Sequence, residues 1–122
     1  EIPSMPGQYN LLIDTLLDET RVAVEAGVRS VILFGLPETK DALGTGAYVE
    51  TGIVQRALKA VRAEFPELVL IADTCLCEYT DHGHCGPLVD GEVDNDRYCP
   101  NDALLGTAEL TGSTQEGSTN NR

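Results

Sequence analysis

The chain has 122 residues, the size of one domain, with 20 Asp and Glu against 8 Lys and Arg and a formal net charge of −12. That balance excludes a nucleic-acid binder, which neutralises phosphates with clustered Lys and Arg. No apolar run approaches the roughly 20 residues that cross a bilayer, and no basic segment precedes an apolar one as in a signal peptide. Hydrophobic residues make up 42%, enough for a core, so the composition describes a soluble, acidic, cytoplasmic chain.

The sequence opens at Glu1-Ile2-Pro3 without an initiator Met, as if cut from something longer. The Pro-rich stretch from Pro3 to Tyr9 is a candidate early strand. From Leu11 to Gly27, apolar residues recur at Ile13, Leu16, Leu17, Val24 and Gly27, a spacing that lays one stripe along a helix. Asp18 with Arg21, and Arg21 with Glu25, are charge pairs at helical spacing, and Gly27 is a stop. Val31 to Phe34 is a continuous apolar run closed by Gly35, the pattern of a strand buried on both faces.

Pro37 to Gly52 is Gly-rich and polar and reads as a long loop. A second helix carries Ile53, Ala57, Val61 and Phe65 along one face and ends at Pro66. Leu68 to Asp73 repeats the buried-strand signature. Strand, helix, strand in this spacing predicts a right-handed βαβ unit with a parallel sheet, hence an α/β fold. From Thr111 to Arg122 there is no large apolar residue, so the end of the chain is expected to be disordered.

The cysteines matter by position. Cys75, Cys77 and Cys85 fall close together with His82 and His84, while Cys99 stands apart. They begin at the carboxyl end of the second clear strand, where α/β folds place ligand and catalytic groups. If the extended backbone continues, alternation points Asp73, Cys75 and Cys77 the same way. Cys-x-Cys plus Cys85 supplies three thiolate ligands for a tetrahedral zinc with one position open. Asp73, Glu78, Asp81, Asp90, Glu92, Asp94 and Asp96 flank them, with no Lys or Arg between Asp73 and Asp96. The run from Asp90 to Asp96 is read as a solvated loop face, and His82 or His84 as groups that orient a ligand or the substrate without touching the metal.

The string DTCLCEYTDHGHCG, Asp73 to Gly86, closely resembles the zinc-binding signature of the porphobilinogen synthase (δ-aminolevulinic acid dehydratase) family. The resemblance includes SMPGQY at Ser4 to Tyr9, LFGLP at Leu33 to Pro37, KDALGTGAY at Lys40 to Tyr48, GIVQRALKA at Gly52 to Ala60 and GEVDND at Gly91 to Asp96. It implies a TIM barrel, usually a homo-octamer, that condenses two molecules of 5-aminolevulinate into porphobilinogen for tetrapyrrole synthesis. It makes Cys75, Cys77 and Cys85 the catalytic zinc ligands and puts Asp73 in the same pocket. The chain then divides into a partial barrel over 1–96 and a divergent tail over 97–122, since RYCPNDALLGTAEL does not resemble the family's helix there.

The family also holds substrate as Schiff bases on two lysines late in the barrel. This chain has only Lys40, in the acidic Gly-rich loop, and Lys59, on the outer face of the second helix. Neither matches a Schiff-base lysine, so the chain alone is expected to be inactive. The alternatives are a non-catalytic zinc-binding α/β fragment and an interaction fragment that completes a barrel beside another chain.

Overall fold

The first helix begins where the Thr15 hydroxyl, three residues in, accepts from the Leu12 amide at 2.9 Å and satisfies a donor the helix itself cannot. In the computed structural model, which describes residues 1–94, this helix α1 spans Ile13–Glu25. Val28 N–H returns to the Ala23 carbonyl and Gly27 N–H to that of Val24, both at 3.0 Å, closing the helix as Gly27 turns left-handed at φ 96°. Strand β1 (Ser30–Leu33) follows, then a loop with one 3-10 turn at Thr45–Ala47, helix α2 (Ile53–Glu64), strand β2 (Val69–Ala72) and the short strands β3 (Leu88–Val89) and β4 (Glu92–Val93).

β1 and β2 pair in parallel, Ser30 with Val69 through Leu33 with Ala72, and the ladder runs one bond further, Asp73 N–H to Leu33 O at 3.1 Å. The core lies between this two-stranded sheet and the helices. Leu33, Val54, Ala57 and Leu58 form its centre, with Ile13, Leu16, Val31, Leu70 and Ala72 packed around them. The α/β class and the parallel βαβ arrangement stand as the sequence predicts.

Several local expectations are corrected. Neither strand is buried on both faces: Ile32, Phe34, Val69 and Ile71 are exposed while their neighbours face the core. Among the described residues only one face of the sheet is covered, so an apolar run reports strand propensity without reporting a second layer. The stripe of α2 is Val54, Ala57, Leu58 and Val61, and Ile53 and Phe65 lie at its partly buried margins. Arg21 pairs with Asp18 at 3.0 Å but reaches across to Glu64 on α2 instead of Glu25.

The stretch from Pro3 to Tyr9 forms a tight turn with a single bridge between Ile2 and Met5, not a strand. β3 and β4 form a hairpin where the acidic run from Asp90 is expected to be a solvated loop. Asp90 and Gly91 at its turn both take positive φ, 53° and 86°, the Asp-Gly preference of a tight hairpin. No helix among the described residues is long and apolar enough to cross a membrane. Cys99, the boundary at residue 96 and the expected disorder from Thr111 onward lie outside the described residues.

Candidate metal centre

After β2 the backbone does not stay extended, so strand alternation is not what gathers the cysteines. Tyr79 and Thr80 N–H both bond back to the Leu76 carbonyl, at 2.9 and 3.0 Å, and wrap the chain into a turn. Leu76 and Tyr79 are buried and anchor that turn, which leaves Cys75 and Cys77 side by side. Their sulfurs are 2.9 Å apart, and Cys75 Sγ is also 2.9 Å from Cys85 Sγ. All three sulfurs lie within 4.8 Å of one another as free thiols.

Cys85 is carried back by the loop after Thr80. The Thr80 hydroxyl, on a residue only 1% exposed, donates to the His84 carbonyl at 2.8 Å and pins that loop. The loop from Asp41 to Thr45 braces the other side. Asp41 N–H bonds to Tyr79 O at 3.3 Å and Asp81 N–H to Asp41 O at 3.1 Å. The Asp41 carboxylate accepts from Leu43 and Thr45 N–H, at 2.9 and 3.1 Å, and the Thr45 bonds hold its pKa below the ordinary value.

Crowding three thiols gives them unequal acidity. Cys75 is pushed up to about 12 because its proton is shared with Cys77 and then Cys85, whereas Cys85 is lowered by the bond from Cys75. Cys85 is also the exposed member. An all-sulfur donor set suits a soft or borderline cation. A tetrahedral ion with sulfur at ~2.3 Å separates its thiolates by ~3.8 Å, which lies inside the observed spread.

The histidines do not join this set. His82 Nδ1 accepts from His84 N–H at 3.2 Å, which leaves Nε2 to donate to Ala42 O at 3.2 Å. His84 Nδ1 lies 2.9 Å from the His82 carbonyl. Both rings therefore tie the cluster loop to itself, and His82 ties it to the 41–45 loop as well.

Asp73, at the end of β2, lines a small cavity with Ala47, Val54, Gln55, Thr74, Cys75 and Tyr79. Glu78 stands against it. Burial, and then the charge and hydrogen bond of Asp73, raise the Glu78 pKa, with Lys40 opposing. Glu78 Oε2 and Gln55 Oε1 are buried without hydrogen-bond partners. Burial, then the charges of Glu78 and Asp73, push the Tyr79 phenol up to about 12. Lys59 lies 3.7 Å from Glu50 on the outer face of α2, away from this cavity.

Gln55 and Tyr79 were not singled out by sequence reasoning. Gln55 sits beside Val54 and three residues before Leu58, a flank position of an apolar stripe where a polar residue ordinarily meets water. That adjacency was the one available signal.

Comparison with known proteins adds a second line of observation. A family model described as "ALAD: Delta-aminolevulinic acid dehydratase" matches residues 1–108. A delta-aminolevulinic acid dehydratase of Bacillus subtilis (strain 168) is 54% identical over 95 residues, which are 78% of this chain and 29% of that protein. One from Halalkalibacterium halodurans is 51% identical over 96 residues, 79% of this chain and 29% of the relative. The crystal structure of the Toxoplasma gondii ME49 enzyme, in complex with its reaction product porphobilinogen, superposes with a TM-score of 0.81 at 31% identity. That match covers 92% of this chain and 33% of the solved one. The chain thus spans about three tenths of the length of the curated relatives it matches.

Proposed function

Because the chain belongs to the delta-aminolevulinic acid dehydratase family, we propose that it forms the metal-binding part of a porphobilinogen synthase, a lyase that condenses two 5-aminolevulinate molecules into porphobilinogen for tetrapyrrole synthesis. The observation that carries this reading is the convergence of Cys75, Cys77 and Cys85 just beyond the carboxyl end of β2. The three thiolates would hold zinc, which when bound supplies Lewis-acid polarisation of a substrate carbonyl.

The chain's own groups do the positioning. Asp73 lies two residues before Cys75 beside the cysteine cluster, and its carboxylate can accept from a substrate amine there. Burial, and then the neighbouring Asp73, favours the acid form of Glu78 and so opposes a build-up of negative charge there. Cys85, whose thiol the bond from Cys75 makes more acidic, is the exposed member of the three. A cytoplasmic location fits the free thiols, which a reducing compartment preserves. The reading also includes the division into a barrel portion over 1–96 and a tail over 97–122, and assembly with further copies.

Lys40 and Lys59 are the only lysines, and Lys59 is paired with Glu50 at the surface. An imine-forming lysine needs a desolvated or cation-flanked amine, so this chain by itself makes no porphobilinogen. The test is zinc stoichiometry followed by incubation with 5-aminolevulinate and borohydride. One zinc per chain, lost in Cys75→Ala, supports the reading. Full zinc retention in Cys75→Ala, or porphobilinogen together with a reduced adduct on Lys40 or Lys59, overturns it.

A second reading, an interaction fragment that needs a covering chain, draws on the exposed Ile32, Phe34, Val69 and Ile71. Sizing at two concentrations separates it: association that rises with concentration favours it.

A further inference from the structure

Gln55 lies in the first turn of α2 and is 1% exposed. Its Nε2 donates to the Ala47 carbonyl at 2.6 Å, while Oε1, equally buried, has no hydrogen-bond partner. A buried carbonyl left in that state is costly and uncommon in native proteins. The place of Oε1 is nevertheless built. At Gly52 a Cβ would stand 2.3 Å from it, so the bare glycine is what admits the oxygen.

Gln55 also lines the cavity shared by Asp73, Thr74, Cys75 and Tyr79, which offers about 10 Å³ to the centre of a water-sized sphere. That is close to the room one water requires, roughly 10–15 Å³. Tyr79, only 4% exposed, lines the same cavity.

We propose that this cavity is the seat of one buried water molecule bridging Gln55, Tyr79 and Asp73, and that Gln55 is through it a positioning residue for the strand end that carries Asp73 and Cys75. The donors and acceptors balance. The water donates one proton to Gln55 Oε1 and the other to the Asp73 carboxylate, and it accepts from the Tyr79 hydroxyl. Three bonds is the usual complement of a buried water. The bridge ties the start of α2 to the segment between β2 and the cysteine cluster, two elements that the Nε2–Ala47 bond alone does not connect. The link to metal affinity rests on the zinc reading above; the water itself does not.

The test is oxygen-17 relaxation dispersion of water on the metal-free 122-residue chain, with Gln55→Met and Tyr79→Phe beside it. Cobalt(II) titration of all three, followed by the thiolate-to-cobalt absorption bands, gives the second readout. Gln55→Met keeps the volume and should lose one long-lived water per chain. Tyr79→Phe keeps the Gln55–Ala47 bond and should shorten the residence time of that water. Cobalt affinity should fall about 10–100-fold in Gln55→Met, the usual effect of removing a group that orients metal ligands.

Equal dispersion amplitude and residence time in the three proteins overturns the proposal. If Gln55→Met fails to fold, Tyr79→Phe decides alone, because it leaves the amide in place: an unchanged residence time there is refutation. Water loss in a chain that binds no cobalt overturns the zinc reading and leaves the water standing. Intact water with weakened cobalt in Gln55→Met overturns the positioning role.

Discussion

Gly35 lies two residues beyond the first strand and packs against the Tyr79 hydroxyl, and the Gly35→Ala substitution tests how tightly that junction is packed. A Cβ there would meet the Tyr79 hydroxyl at 2.1 Å, Val54 Cγ2 at 2.6 Å and Ile53 Cγ2 at 3.0 Å. The first two are closer than real Cβ contacts come, and both Tyr79 and Val54 are buried, so neither can withdraw without moving its own element. Overpacking of this kind costs about 1–3 kcal/mol, and two simultaneous clashes put Gly35→Ala near the top of that range. With a urea slope of about 1.5 kcal/mol/M, the unfolding midpoint should fall by roughly 1–2 M. Tyr79→Phe removes the nearest atom but leaves Val54, so in the Gly35→Ala background it should recover about 1 kcal/mol, a coupling visible in a double-mutant cycle. A midpoint within about 0.3 M of the parent chain, or strictly additive single effects, would refute the packing argument.

The Thr80→Val substitution deletes the hydroxyl that holds the His84 carbonyl, costing about 1–2 kcal/mol. It should also weaken metal binding by freeing the loop that delivers Cys85, as competition with a chromophoric chelator would report; equal affinity would show the loop is held otherwise. Cys75 and Tyr79 are both raised to about 12 from ordinary values of 9.0 and 10.0, so the unfolded chain loses these protons first. Their contribution to stability is therefore whole below about pH 9 and is lost as pH climbs toward 12, which urea titrations of the metal-free chain across that window should record. Metal affinity should move the other way, falling as pH drops, because ions displace the thiol protons. A zinc titration whose affinity stays flat between about pH 8 and 6 would count against thiolate ligation.

Much of the scaffold is legible from the sequence because it is written in short-range periodicity. The stripe of Ile13, Leu16 and Leu17 and the run of Val31 to Leu33 specify a helix and a strand with no knowledge of what they touch. What escapes is what depends on partners far along the chain. Arg21 has an eligible acid four residues on, but Glu64 on the packed neighbouring helix wins it. The exposed face of the sheet is invisible in an apolar run that suits either one or two covering layers. The cysteine trio is legible as a cluster, yet the reason for its convergence is not alternation. Leu76 and Tyr79 bury themselves and bend the backbone, and only tertiary packing reveals that. Asp90-Gly91, by contrast, carries a hairpin signal strong enough to read, between strands too short to display period-two alternation.

The cysteine turn also has a consequence for the order of assembly. Pairing the two parallel strands joins Ser30 to Val69, a separation of 69 − 30 = 39 residues, whereas Cys75 and Cys85 are 10 apart. On loop-closure entropy alone the shorter gathering is favoured by about 1.2 kcal/mol, and it needs no sheet beneath it, only the segment from Asp73 to Gly86. An ion arriving while the chain is still open can therefore cross-link this segment early. A loop captured in this way would be a fixed point against which Leu76 and Tyr79 pack.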